Sequence, residues 1–198
     1  LEKMRTILDF GCGSGRLIRG LYADDPTRKI YGADYNEELI AWAKQNLPGD
    51  ITFIKNEFDP PLPIEDNTID LVYLVSVFTH LPLDSQDKWL AEFKRILKKD
   101  GILIISLHGM AYLYEFRSNG SDAYEGLMKT GYASTYKGSD AAAGSNRFFT
   151  AHMPEYACTT LFKDWQVLAS LPGGKLRDQL ATFDVLGFSG AQDIYILT

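Results

Sequence analysis

Cysteine is almost missing from this chain: Cys12 and Cys158 are the only two among 198 residues. That excludes a disulfide framework of the small secreted kind. Cys12 also lies inside a glycine-rich run where a bridge to Cys158 is awkward, so both read as reduced thiols and the protein as cytoplasmic. No cysteine metal site follows, and no metal is expected. An excess of positive charge is lacking too, with 20 Lys and Arg against 26 Asp and Glu, a net charge of −6 and a pI near 5.1. Nucleic-acid affinity rests largely on cations that neutralise phosphates, so nucleic acid is not an expected partner and a small-molecule or carbohydrate partner is favoured. No apolar run approaches the ~18 residues that would cross a bilayer, and no signal-peptide pattern opens the chain. There is no internal repeat.

What is present suits one globular domain over residues 1–198: 45% of residues are apolar and 13% aromatic, enough for a sizeable core. The chain begins at Leu1 rather than Met and enters a strand within a few residues. We read it as a domain cut from something longer, whose other domains become candidate partners.

Thr6–Phe10 is a short apolar strand that runs into Gly11-Cys12-Gly13-Ser14-Gly15, after which Leu17, Ile18 and Leu21 take helical spacing. Residues 29–34 give a second strand, Leu39, Ile40, Ala43 and Leu47 a helical face, and residues 51–55 a third strand. Pro60, Pro61 and Pro63 predict a loop over 56–68 in place of a crossover helix. Residues 69–75 form a buried central strand, and Trp89, Leu90, Phe93, Ile96 and Leu97 stripe a helix that Lys98, Lys99 and Gly101 close. Residues 102–107 are the fifth strand. Periodicity then fails from Gly109 to Ala151, a stretch of glycine, serine and tyrosine that reads as a lid-like insertion. A helix is expected over 154–162, strands over 165–171 and 193–198, and partial helix over 175–188. Strands alternating with helices or crossovers, then a terminal pair, give an α/β fold.

In such a sheet a ligand sits beyond the carboxyl ends of the strands, beside the first one, where Gly11–Gly15 lies. Glycines let backbone approach a ligand, and the helix that follows offers free N–H donors. A dinucleotide fingerprint needs a third small residue where this chain has Arg16, which weakens that reading. Asp34, at the end of the second strand, can accept from both ribose hydroxyls or cap the helix that starts near Glu37; residues alone leave both open.

Asp9-Phe10-Gly11-Cys12-Gly13-Ser14-Gly15 resembles the D/E-x-G-x-G-x-G motif of class I S-adenosylmethionine-dependent methyltransferases. Leu62–Val72 is similar to the LPF-x-D-x-x-FD-x-V segment entering that family's fourth strand, and Leu97–Leu103 to the LKPGG-x-L segment entering the fifth, with Asp100 where glycine is usual. The resemblance covers residues 6–107. It implies a Rossmann-like, doubly wound, seven-stranded sheet with an antiparallel final strand and S-adenosyl-L-methionine as cofactor, leaving S-adenosyl-L-homocysteine as product. Gly11, Cys12, Gly13 and Gly15 would lie beneath the amino-acid portion, with Asp9 supporting the loop or the ammonium. Asp34 would take the ribose, Tyr35 would flank the adenine, Asn56, Glu57 and Phe58 would meet its edge and face, and Val75 and Ser76 would line the methionine arm.

Methyl transfer to a hydroxyl needs alignment and a base. The candidates are His80, His108 and His152, and His108, directly after the fifth strand, is best placed. Its other reading is an imidazole bonded to loop backbone; His80 and His152 suit helix entries. Ser76–Leu81, Leu107-His108-Gly109 and Gln192-Asp193 resemble a subgroup often found beside glycosyltransferases in polysaccharide pathways, which makes a sugar hydroxyl the leading acceptor. Tyr112, Tyr114, Tyr124, Tyr132 and Tyr136 suit a sugar lid or simply pack it. The absence of an Asp/Asn-Pro-Pro-Tyr segment after the fourth strand speaks against amino-methylating DNA enzymes. The competing class of function is a non-catalytic S-adenosylmethionine-binding or interaction module of a larger glycan-assembly protein.

Overall fold

A computed structural model describes residues 3–113, 117, 121–136, 142–173 and 192–198. The strands are β1 Thr6–Phe10, β2 Lys29–Asp34, β3 Thr52–Lys55, β4 Ile69–Leu74, β5 Leu97–His108, β6 Tyr132–Tyr136, β7 Phe148–His152, β8 Val167–Leu171 and β9 Gln192–Leu197. The helices are α1 Arg16–Asp24, α2 Glu37–Asn46, α3 Leu83–Ile96 and α4 Ser121–Thr130. Seven strands form one sheet in the order β3-β2-β1-β4-β5-β9-β8, and β6 and β7 form a separate antiparallel pair. β1 runs parallel to β2 and β4, β2 parallel to β3, and β9 antiparallel to β8, as the Rossmann-like expectation required.

Chain packing defines two units, Leu1–Val75 with Lys88–Ile104, and Ser76–Asp87 with Ile105–Thr198. In the first, both faces of β1 are covered, which is why its residues are apolar on each side. Ile7 packs with Leu17 and Leu21 of α1. Phe10 meets Trp89 and Phe93 of α3, at ring separations of 4.4 and 5.0 Å. Ile18, Ile30, Ile40, Ala43 and Phe53 close a further cluster over β2 and β3. Glu92 and Arg95 of α3 fasten the 56–68 loop: Glu92 accepts from Leu62 N at 2.7 Å, and Arg95 donates to the carbonyls of Leu62 and Ile64. That loop carries no helix, as its prolines required.

The second unit departs from the sequence reading. Where the sequence reading expected irregular chain over 109–151, the described residues hold a 3-10 turn at Met110–Tyr112, α4 and the β6–β7 pair. Leu127, Ala133 and Ala151 are buried together there, so short apolar runs make a small core of their own. The helix expected at 154–162 is a single α turn, Pro154–Tyr156, running into a π turn at Ala157–Leu161. β5 begins earlier than expected, at Leu97, where Lys98 reaches Asp70 of β4 at 2.6 Å instead of ending a helix. The helix expected over 175–188 and Tyr114 lie outside the described residues.

Candidate functional site

Gly11, Gly13 and Gly15 all hold left-handed backbone, with φ of 77°, 55° and 75°. Only glycine takes that conformation without a Cβ penalty. At Gly15 a Cβ would also crowd Leu47 Cδ1 at 2.5 Å, so the Leu47 side chain would have to shift. The turn is tied to β2: the N–H groups of Gly11 and Cys12 donate to Ala33 O at 2.8 and 3.0 Å. Gly13 N–H donates to Asp34 Oδ2 at 2.7 Å, while Asp34 Oδ1 accepts from Asn36 N at 2.8 Å. Asn36, not Asp34, caps α2, accepting from Leu39 N at 3.0 Å. Asp34 therefore pins the glycine loop, a role sequence spacing did not reveal.

Asp9 stands on β1 opposite Tyr73 of β4 and is 3% exposed. Burial pushes its carboxyl up to about 7; the Tyr73 hydroxyl opposes the shift, the Asp34 charge adds to it, and Arg16 offsets part. Burial, then the charges of Asp9 and Asp34, push the Cys12 thiol well up, so it stays protonated. Both cysteines are free thiols.

Past β2, Tyr35 is 59% exposed, its ring edge-on to Phe58 at 6.2 Å. Glu57 is exposed and pairs with Lys55 at 2.7 Å. Asn56 is buried, donates through Nδ2 to Glu57 O at 2.7 Å, and leaves its Oδ1 without a partner. A buried amide oxygen left unmade is costly, and an amino edge of a base would satisfy it. Asp34, Tyr35, Asn56, Glu57 and Phe58 thus follow the ends of β2 and β3, beside the glycine loop that follows β1. Val75 packs at the end of β4 with Ile7, Leu71 and Tyr73, and Ser76 opens the second unit.

Within the second unit, two of the three histidines dock on one edge of β7. His80 Nδ1 lies 2.8 Å from Phe148 O and His108 Nδ1 3.0 Å from Thr150 O. A carbonyl only accepts, so in both rings Nδ1 carries the proton and Nε2 is the basic nitrogen. The two rings are 6.4 Å apart, Phe149 packs against both, and Tyr112 stacks on His108 at 3.7 Å. His108 is buried and His80 half-buried. The backbone-bonded reading of His108 thus holds for Nδ1 and supplies the tautomer a base at Nε2 requires. His80 sits in a 3-10 turn, not a helix cap.

His152 is different. Gln86 Nε2 donates to the carbonyls of Phe78 and Leu81, which fixes its amide; His152 Nε2 then donates to Gln86 Oε1 at 2.9 Å. Burial, with the neighbouring His108, holds the His152 imidazole down at about 3, so it is neutral. It is a core group, 1% exposed. Gly109 and Asp193, singled out in separate motifs, meet: a Cβ at 109 would lie 1.8 Å from Asp193 Oδ2, and Asp193 Oδ1 holds Gly173 N at 2.7 Å. Sequence reasoning missed β7 as the strand that seats both imidazoles, although Phe148-Phe149-Thr150 is an aromatic and β-branched run of the strand type. Of the tyrosines, Tyr132 packs with His152 and Tyr156, Tyr124 is half-buried, and Tyr136 is exposed.

No described group of three His, Cys, Asp or Glu side chains could hold a metal ion, and no described helix is long and apolar enough to cross a membrane. Comparison with known proteins gives a match of residues 8–105 to a methyltransferase domain family. An uncharacterized methyltransferase of Bacillus cytotoxicus is 31% identical over 104 residues, 51% of this chain and 46% of that protein. A tRNA N(3)-methylcytidine methyltransferase of Schizosaccharomyces pombe is 28% identical over 122 residues, 58% of this chain and 40% of that one. The chain spans about half the length of the curated relatives it matches. Among solved structures, a SAM-dependent methyltransferase of Methanosarcina mazei aligns with all of this chain and 93% of its own, at a TM-score of 0.70 and 18% identity. The glycopeptide N-methyltransferase MtfA, complexed with S-adenosyl-L-methionine, aligns with all of this chain and 83% of its own, at 0.63 and 12%. Residues 8–105 thus resemble that methyltransferase domain family, and the chain shares the fold of solved S-adenosylmethionine-dependent methyltransferases.

Proposed function

We propose that this chain is the catalytic domain of an S-adenosylmethionine-dependent O-methyltransferase acting on a small-molecule or sugar hydroxyl. The observation that carries the hydroxyl acceptor is the seating of His108: its Nδ1 lies 3.0 Å from Thr150 O, a carbonyl that only accepts, so Nε2 is the ring nitrogen assigned to the acceptor's proton. S-adenosyl-L-methionine, when bound, supplies a methyl group already activated on a sulfonium. The residues that would hold it fit that ligand. Gly11, Cys12, Gly13 and Gly15 give a turn with no side-chain obstruction for the amino-acid portion, and Asp9 a buried carboxyl for its ammonium. Asp34 serves the ribose through lone pairs left over from the two backbone bonds it accepts. Asn56 Oδ1 awaits an amino edge between Glu57 and Phe58, Tyr35 offers an exposed face, and Val75 and Ser76 follow β4 toward the methionine arm. His108 takes the acceptor proton at Nε2, and Tyr112 and Phe149 keep its ring in plane.

A sugar is favoured because Leu107-His108-Gly109 and Gln192-Asp193 resemble the subgroup found beside glycosyltransferases. The negative charge disfavours nucleic acid but does not exclude it, given a relative that is a tRNA methyltransferase. Calorimetry with S-adenosylhomocysteine, and with NAD as control, tests the cofactor; binding of NAD alone overturns the reading. Transfer of labelled methyl to saccharides and phenols, with amines and tRNA as further arms, then tests the acceptor. Cofactor binding without transfer to any of them would favour the non-catalytic module of a larger glycan-assembly protein.

A further inference from the structure

β4 ends at Leu74, and two residues on the backbone of Ser76 turns left-handed, at φ 60°. A serine has no intrinsic reason to stay there, and such a residue persists only where its surroundings over-determine it. Here side-chain hydrogen bonds close a ring around it, Ser76 Oγ also lying 3.0 Å from Gln192 Oε1. Ser76 N–H donates to Ser106 Oγ at 2.8 Å; the Ser106 hydroxyl donates to Gln192 Oε1 at 2.7 Å; Gln192 Nε2 donates to Ser76 Oγ at 2.7 Å. Ser106 and Gln192 are buried, at 0% and 3% exposure, so water does not compete for these groups. The three residues come from the end of β4, from β5 and from the first position of β9.

We propose that Ser106 and Gln192 are positioning residues for the methyl donor: their hydrogen-bonded ring locks Ser76 in its left-handed conformation. The lock fixes the backbone that the chain presents to the donor's amino-acid arm. The proposal rests on the reading above that Ser76 borders that arm. It also gives the Gln192-Asp193 pair a purpose, since Gln192 reaches Ser76 while Asp193 seats against Gly109. A glycine at 76 would hold the same φ unaided, so the clamp is needed only because the residue is serine.

The test measures S-adenosylhomocysteine and methylthioadenosine, which lacks the amino-acid arm, by calorimetry on the whole chain, with thermal melts to confirm folding. Gln192→Ala should weaken S-adenosylhomocysteine about ten-fold, equivalent to about 1.4 kcal/mol, and leave methylthioadenosine unchanged. Ser106→Ala, a smaller change, should act in the same direction. Adding Ser76→Gly to Gln192→Ala should restore the affinity to within about two-fold of wild type, because glycine needs no lock. A purely structural role in the sheet would not be rescued by that glycine. If the double variant binds as weakly as Gln192→Ala, or if Gln192→Ala and Ser106→Ala both bind as wild type does, the clamp is overturned. If wild type binds methylthioadenosine as tightly as S-adenosylhomocysteine, the placing of the arm beside Ser76 fails, and the clamp with it.

Discussion

The two units handle buried polar groups in opposite ways. Around the glycine loop the first unit gathers carboxyls: Asp9 is buried on β1, and Asp34 is fastened to two backbone N–H groups. Around β7 the second unit gathers imidazoles whose tautomers are set by carbonyls or by Gln86. The first arrangement suits a ligand that brings positive charge. The second suits one that gives up a proton. Each arrangement costs stability in its own pH window, and that difference is open to experiment.

The largest effect should come from Asp9. Its carboxyl titrates near 7 in the folded chain against an ordinary value of 3.8, so the folded chain binds the proton more tightly than the unfolded one. Stability then falls as pH rises from about 4 to about 7. Asp9→Asn, which cannot ionise, should gain on wild type across that window by up to about 4 kcal/mol, following 1.36 kcal/mol per pKa unit. Urea unfolding of both proteins without cofactor, at pH 4, 6 and 8, measures the gain; a gap that does not change with pH refutes it. His152 should show the reverse. Its imidazole is held down at about 3 against 6.5, so its contribution is whole above pH 6.5 and lost as pH falls toward 3. A His152→Gln variant should therefore lose stability less steeply than wild type below pH 6.5.

Next in size is the proton acceptor. His108→Ala should lower methyl transfer by ~10²-fold while leaving S-adenosylhomocysteine affinity nearly intact. His80→Ala is the control that sharpens the contrast, because its ring is held by β7 in the same manner and is more exposed. Loss of turnover in His80→Ala with His108→Ala silent would transfer the role to His80.

These contrasts also mark what the sequence could say. The strand-loop-helix at Thr6–Asp24 was legible because glycine and apolar periodicity are local signals, and the five parallel-type strands followed from their apolar runs. The loop over 56–68 was legible from its prolines. The regular elements within 109–151 were not legible because their order comes from tertiary contacts: His80 and His108 become fixed only when β7 offers Phe148 O and Thr150 O, and a strand this short is decided by its neighbours. Asp34 was found as a residue but not as a pin, because no spacing rule links it to the Gly13 N–H. Likewise Ser106 carried no motif, and its bond to Ser76 joins residues that chain order does not connect.

Asp34→Ala should weaken S-adenosylhomocysteine at least ten-fold, since a hydrogen bond to a charged group contributes ~1.5–3 kcal/mol. The same substitution releases the Gly13 N–H, so a loss of affinity has two sources: a lost ribose contact and a loosened loop. Adenosine and S-adenosylhomocysteine both carry the ribose, and equal losses for the two would assign the effect to the ribose contact. A larger loss for S-adenosylhomocysteine would assign part of it to the loop beneath the amino-acid portion.

The smallest effect separates Asp34 from its neighbour. Asn36 caps α2 through Oδ1 to Leu39 N, with Glu37 and Glu38 in the first turn and Lys44 in the last, so the helix dipole is already matched at both ends. Asn36→Ala removes one cap bond and should cost about 1 kcal/mol of stability, read as a modest fall in unfolding midpoint. Its backbone N–H still donates to Asp34 Oδ1, because alanine keeps that group, and Asp34 Oδ2 still holds Gly13. Cofactor affinity should therefore stay within about two-fold of wild type, well short of a decade per 1.4 kcal/mol. If Asn36→Ala weakens S-adenosylhomocysteine as much as Asp34→Ala does, the two residues act as one structural turn. A purely structural role for Asp34, bracing that turn against the glycine loop, would then replace the ribose role.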